Sequence, residues 1–333
     1  MKNYIIITSI FQPTEAVKKF AQNPNFKLIV VGDNKSPKDW SCENVVYLSL
    51  EMQHKLEFRL LKTLPINHYC RKMIGYLIAM KEAETIIDTD DDNIPKENWK
   101  FPESSLSYKT LDGDGFVNVY QWYTKQKIWP RGLPLNLINK KFENNYGRDI
   151  QGRAVGIWQG LADEDPDVDA IYRLTIDEPC TFEQDMPLVL NKGLISPFNS
   201  QNTLYYRNLF PLLYLPITVT FRFTDILRGL VAQPIMWAYG YHLGFTGATV
   251  VQKRNEHNLM SDFQSEIPMY EHCEKIVDLV SASVSSGSSL EANLFNAYDR
   301  LALHGIVDGA ELVAVESWIS DSLEQMMGRE RNG

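Results

Sequence analysis

The sequence predicts an α/β fold: a mixed, mainly parallel sheet flanked by helices, with a carboxy-terminal helical subdomain. Three observations predict it. Short β-branched runs alternate with helical periodicity through the first part of the chain, the pattern of strand–crossover–strand units. Aspartates stand where predicted strands end, at Asp33 and at Asp90 to Asp92, and ligands of such sheets bind beyond the carboxyl ends of the strands. From Pro268 onward apolar residues recur at helical spacing, with Gly, Ser and Asp between the periods. The expected division is an α/β domain over 1–265 and a helical region over 266–333.

The elements follow in order. Tyr4 to Ile10 is a β-branched run closed by Gln12-Pro13, and Thr14 then caps a helix through Phe20. Phe26 to Val31 is a second strand, stopped by Gly32-Asp33-Asn34, and Val45 to Leu48 a third. Two helices are expected next. One is Glu51 to Leu64, with Leu56, Leu60 and Leu61 on one face; the other is Asn67 to Lys81, capped by Asn67. Glu84 to Ile87 reads as a buried strand leading into the aspartates. In the middle, Val117 to Tyr123 reads as a strand and Trp129 to Pro134 as a loop, because Pro and Gly break both regular structures. Ala154 to Gln159 and Gly193 to Asn202 are further strand–loop segments. The tail reads as helices over Tyr270–Val284, Leu290–His304 and Ala310–Met327.

Composition narrows the classes. The 333 residues carry a net charge of −9, which argues against a nucleic-acid binder but not against a local site for one phosphorylated ligand. Cys42, Cys70, Cys180 and Cys273 are scattered, with no CxxC pair, as expected of free thiols in a reducing compartment. The amino terminus reads as a first strand rather than a leader, and no apolar run approaches the ~20 residues of a membrane helix. The expected home is the cytoplasm, at a membrane surface if the substrate is lipid-linked. Leu312, Val313, Val315 and Trp318 form a stripe that suits core packing, a membrane contact or self-association into a homo-oligomer.

Chemistry concentrates in a few stretches. In I-I-D-T-D-D-D-N-I-P, Ile86 to Pro95, carboxylates crowd the end of a buried strand. They suit either a solvated acidic turn or a divalent cation, Mg²⁺ or Mn²⁺, bound by hard oxygens. Arg71-Lys72 falls near a helix start, where the macrodipole disfavours cations unless an anion such as a diphosphate lies close. Arg131 is held between Pro130 and Gly132. The amides of Asn199, Gln201 and Asn202 could bond sugar hydroxyls or cap turns. Asp225, between Arg222 and Arg228, suits a general base or a structural ion pair. His257 is a lone histidine that could ligate a metal if carboxylates approach it. As a set these residues suit transfer chemistry on a nucleotide-activated sugar.

The stretches T-S-I-F-Q-P-T-E-A-V, V-V-G-D-N-K-S-P-K-D-W, N-H-Y-C-R-K-M-I-G-Y-L-I-A-M, D-T-D-D-D-N-I-P, W-P-R-G-L-P-L, D-P-D-V-D-A-I-Y-R-L-T, P-F-N-S-Q-N-T-L and F-R-F-T-D-I-L-R-G together resemble the STELLO family of probable glycosyltransferases, in order over roughly residues 4 to 263. A more distant likeness runs to the reversibly glycosylated polypeptides, which include UDP-arabinopyranose mutases. Both resemble the GT-A class of nucleotide-sugar enzymes. The resemblance implies a GT-A-like, Rossmann-like fold, a UDP-linked nucleotide-sugar donor, and a divalent ion at Asp90, Asp91 and Asp92. It places Asp33 near the nucleoside, Arg71 and Lys72 near the diphosphate, Asp225 on the acceptor side as candidate base, and His257 as a further metal ligand. The acceptor is open: a glycan, a lipid-linked group or a protein. The mutase likeness implies a different role for Arg131, as the residue that becomes glycosylated. A third reading is a binding scaffold that keeps the fold without the chemistry. Plant STELLO proteins carry a membrane anchor, and none is expected from this sequence, so the resemblance does not imply Golgi residence.

Overall fold

The computed structural model describes residues 2–184, 186–254 and 258–328. Its strands are β1 Asn3–Thr8, β2 Phe26–Val31, β3 Val45–Leu48, β4 Thr85–Thr89, β5 Asn93–Pro95, β6 Ser107–Leu111 and β7 Gly115–Phe116. Then come β8 Ile150–Gln151, β9 Val155–Glu164, β10 Leu188–Leu190, β11 Leu194–Ile195, β12 Asn202–Tyr206 and β13 His242–Gln252. The α-helices are α1 Glu15–Ala21, α2 Leu50–His54, α3 Lys72–Met80, α4 Ala170–Thr175, α5 Thr224–Ala238, α6 Leu259–Ser283, α7 Leu290–Leu303 and α8 Ala310–Met327. The main sheet runs β3-β2-β1-β4-β12-β9-β13-β10-β6-β8, with β5 on β13. β3, β2, β1 and β4 are parallel to one another; β12 is antiparallel to both β4 and β9. The expected mixed, mainly parallel α/β sheet flanked by helices is therefore the fold observed.

Strands β1, β2 and β4 read as continuous apolar runs because both their faces are covered. Ile6, Ile29, Val31 and Ile86 pack with Met73 and Leu77 of α3, while Ile5, Ile7, Leu28 and Ile87 pack with Val17, Phe20 and Trp40. Helix α3 lies close on the sheet through Gly75. A Cβ there would stand 2.6 Å from Ile6 Cγ2 and 2.9 Å from Val31 Cγ2. Gly75→Ala should therefore lower stability despite the ~1 kcal/mol gained in helix propensity, since overpacking costs about 1–3 kcal/mol. A lower urea midpoint is the expected result.

Several expectations need correction. The helix expected over Glu51–Leu64 stops at His54, and a 3-10 turn follows at Arg59–Lys62. That turn is set by α8: the Leu60 N–H donates to Asp321 Oδ2 at 2.9 Å, and Arg59 pairs with Asp321 and Glu324. Asn67 does not cap the next helix. It sits at φ +58°, a left-handed conformation that Asn tolerates. His68 caps a 3-10 turn at Tyr69–Arg71, and α3 begins only at Lys72. The strand expected over Val117–Tyr123 is a 3-10 turn at Val119–Trp122, where Asn118 accepts from the Tyr120 N–H and so competes with strand pairing. Helix α5 and strand β13 had no clear periodic signal. From Thr224 to Met236 every residue of α5 is buried, so no polar stripe marks it.

The carboxy-terminal helices fall where expected, except that α6 starts earlier, at Leu259. Asn258 caps it, accepting from the Met260 and Ser261 N–H groups. The boundary expected between residues 265 and 266 thus lies inside a helix. The helices pack on the sheet domain. Buried Glu311 of α8 accepts from the Ile217 N–H, the Thr218 N–H and the Tyr214 and Thr218 hydroxyls. The apolar stripe divides: Val315 and Trp318 are core, and Val313 is exposed. The four cysteines are free thiols. Among the described residues no helix is long and apolar enough to cross a membrane.

Candidate active site

Two adjoining cavities open beyond the carboxyl ends of β1, β2 and β4. They share Thr8, Tyr69, Asp91 and Phe221 as walls. The first, about 200 Å³, is flanked by the ends of β1 and β2 and by the His68–Arg71 turn. Asp33 follows β2 and accepts from the Asn34 N–H at 2.6 Å and the His68 N–H at 3.1 Å, so it pins that turn. His68 stacks on Tyr69 with ring centroids 5.2 Å apart, and Phe221 meets both rings edge-on. Burial lowers the pKa of His68, against the pull of Asp33. Arg71 also lines this cavity, but its Nε and Nη2 donate to Gln53 Oε1 at 2.9 and 2.6 Å.

The second cavity, about 220 Å³, has the aspartate run on one wall. Beneath the run lies a fully buried ion network. Lys72 Nζ donates to Asp88 Oδ1 at 2.9 Å, the Thr89 carbonyl at 2.8 Å and Asp90 Oδ1 at 2.8 Å. Arg228 Nη1 donates to the other oxygen of Asp88 at 2.7 Å. Lys72 is thus enclosed and spends all three protons on the chain itself; it faces neither cavity, contrary to the expectation that it approaches a diphosphate. Asp91 accepts from the Ser9 hydroxyl, and Asp92 from Gln252 Nε2 at 3.1 Å. Burial pushes the Asp90 carboxyl up to about 7, with Asp92 and Asp88 adding to the rise and Lys72 opposing it. Burial likewise raises Asp91 to about 6. Among the described residues no group of three or more His, Cys, Asp or Glu forms a ready metal cage. Hard carboxylates that open on a cavity still fit an ion such as Mg²⁺, which keeps waters and takes substrate phosphates as its remaining ligands. His257 lies outside the described residues.

Arg131, Arg222, Asp225 and Arg254 also line this cavity. Arg131 is nearly enclosed, 5% exposed. It donates from Nε and Nη2 to Asp167 at 2.8 and 2.9 Å, from Nη2 to Asp225 at 3.0 Å, and from Nη1 to the Arg222 carbonyl. Asp225, in the first turn of α5, also accepts from the Ser200 N–H at 3.2 Å and the Tyr69 hydroxyl at 3.4 Å. Burial raises its pKa, but Arg131 and Arg228 outweigh burial and hold it below the ordinary carboxylate value. Burial works against the charge of Arg131 too, yet Asp167 and Asp225 hold it firmly cationic.

The predicted amides turn inward. Asn199 Nδ2 donates to Asp167 at 2.7 Å, Gln201 donates to Gln252, and Asn202 Nδ2 donates to Thr249 at 2.8 Å. They brace the site, and Ser200 between them reaches the cavity. Asp33 and Arg71 come together in one cavity, and Asp90 to Asp92, Arg131 and Asp225 in the other. Asp88 carries the same signal as the rest of its aspartate run, and Arg222, Arg228 and Arg254 stand out only as neighbours of Asp225 and His257; Asp167 and Tyr69 carry no signal of a site role by type or spacing.

Residues 222–327, from Arg222 through α8, match the family model of the STELLO glycosyltransferases. Across 97% of the chain the sequence is 26% identical to the probable glycosyltransferase STELLO2 of Arabidopsis thaliana. Across 96% it is 26% identical to STELLO1 of the same plant. The chain spans less than half of these relatives, 45% and 44% of their lengths. Among solved structures it has a distant likeness to M. tuberculosis glucosyl-3-phosphoglycerate synthase, with 10% identity and a TM-score of 0.36 over 85% of this chain and 81% of that one. The motif resemblance and the family matches agree: the chain is similar to the STELLO glycosyltransferases.

Proposed function

We propose that this chain is a glycosyltransferase that moves a sugar from a nucleoside diphosphate, UDP by preference, to a hydroxyl acceptor. The observation that carries the reading is the pair of cavities meeting at Asp91, with an aromatic compartment on one side and carboxylates facing arginines on the other. The nucleoside takes the first compartment, against Asp33, His68 and Tyr69. The sugar lies in the second. Asp90, Asp91 and Asp92 would hold Mn²⁺ or Mg²⁺, which would neutralise charge gathering on the leaving diphosphate. Lys72 orients Asp90 from below. In the reaction a bond forms between the acceptor oxygen and the anomeric carbon. The bond from that carbon to the diphosphate oxygen breaks, and the diphosphate leaves with the electron pair. Asp225 stays ionised, but its oxygens already accept from Arg131, Ser200 and Tyr69. Its part is to orient the acceptor hydroxyl, whose proton passes to the oxygen of the leaving diphosphate.

The geometry favours transfer over mutase chemistry. A guanidinium must lose its proton to attack an anomeric carbon, and Arg131 is held cationic between Asp167 and Asp225. The test is incubation of the protein with Mn²⁺ and UDP-, GDP- and CMP-sugars, without acceptor, followed by mass spectrometry. Slow release of one nucleoside phosphate and an unchanged protein mass are expected. A sugar adduct on Arg131, or a ring isomer of the donor, would replace this reading with the mutase one. Tight binding of a partner protein with no turnover would point to the scaffold.

A further inference from the structure

Arg222 and Arg254 both line the second cavity. Each is tethered from behind by a carboxylate of α6. Arg222 Nε donates to Glu266 at 2.9 Å, and Arg254 Nη2 to Asp262 at 2.6 Å. Asp262 and Glu266 are one helical turn apart, so α6 presents both to one side and sets the arginines next to each other. Glu266 is fully enclosed and is further held by the Ala170 N–H at 2.7 Å and the Tyr270 hydroxyl at 2.6 Å. The tethers leave donors over. Arg222 uses Nε and Nη2, and Arg254 only Nη2, which leaves Arg222 Nη1 and Arg254 Nε and Nη1 without a partner among the described residues. The pairing of like charges is unfavourable as it stands. Burial, then Arg222 and Arg173, push the Arg254 guanidinium below its ordinary value. An anion between the two arginines would relieve that repulsion and take up the spare donors.

We propose that Arg222 and Arg254 form an anion-binding pair for the acceptor, so that the acceptor carries a phosphate or carboxylate near its attacking hydroxyl. The inference rests on the glycosyl-transfer reading for the name acceptor, while the anion site itself does not. The pair lines only the second cavity, whereas a donor diphosphate must span the junction beside Asp91 to keep its nucleoside in the first.

The probes are glycerol 3-phosphate, glycerate and glycerol, titrated calorimetrically into the protein saturated with Mn²⁺ and UDP. Glycerol 3-phosphate or glycerate should bind and glycerol should not. Arg254→Gln should weaken that binding about tenfold or more, as expected for losing a hydrogen bond to a charged group, with UDP affinity changed less than about twofold. Arg222→Lys, which keeps a charge against Glu266 but loses the fork, should weaken it as well. Absence of anion binding, or equal binding by the variants, overturns the proposal. So does a tenfold loss of UDP affinity in Arg254→Gln, which would assign the pair to the donor diphosphate. If UDP does not bind the wild-type protein, the glycosyl-transfer reading has failed; the same titration without nucleotide then decides the anion site alone.

Discussion

Asp92→Asn is expected to lower donor turnover by about a hundred- to a thousand-fold, the scale of losing one preorganised charge-stabilising group. The substitution keeps the shape and one carbonyl oxygen, so the hydrogen bond from Gln252 Nε2 survives and stability should change little. What it removes is a negative charge facing the second cavity. Two readouts separate this from a folding defect. Release of nucleoside diphosphate from the donor should fall by the stated factor. The rise in melting temperature produced by Mn²⁺ in the parent protein should shrink or vanish, because an ion stabilises only in proportion to its binding to the native state. Unchanged turnover with an unchanged Mn²⁺ response would remove the aspartate run from the chemistry.

Asp88→Ala is expected to destabilise the protein by about 3–5 kcal/mol, the usual cost of breaking a buried ion pair from one side. Asp88 is fully buried between two cations, Lys72 at 2.9 Å and Arg228 at 2.7 Å. Without it Lys72 keeps Asp90 and the Thr89 carbonyl, but Arg228 loses its hydrogen-bonded carboxylate and keeps the face of Tyr205, 5.5 Å away, and the more distant charge of Asp225. Two further nitrogens of Arg228, Nε and Nη2, already lack a hydrogen-bond partner among the described residues. Urea unfolding measures the loss as a lower midpoint at constant slope. Adding Arg228→Met should recover part of it, since a stranded charge costs more than an apolar side chain of similar length. A loss below about 1 kcal/mol for Asp88→Ala would mean that water reaches the network and screens it.

These two aspartates stand four residues apart and do opposite jobs, and the sequence does not distinguish them. It did determine the elements whose signals are local. Strand β2 and helices α7 and α8 fall within a residue of where periodicity and caps put them, and Thr14 caps α1 as its type predicts. It also determined that carboxylates gather at strand ends, and the resemblance carried by those stretches named the family. Tertiary structure decided the rest. Arg228 reaches Asp88 across 140 residues and Arg131 reaches Asp225 across 94. Whether a charged residue faces a cavity, as Asp92 does, or neutralises a neighbour in the core, as Lys72 does, depends on which partners the chain brings within about 3 Å. The same holds for Asn199, Gln201 and Asn202, whose amides spend their bonds on bracing loops. Periodicity reports which side of an element is apolar; electrostatic roles are set by distance and burial, and those exist only once the sheet has closed over its helices.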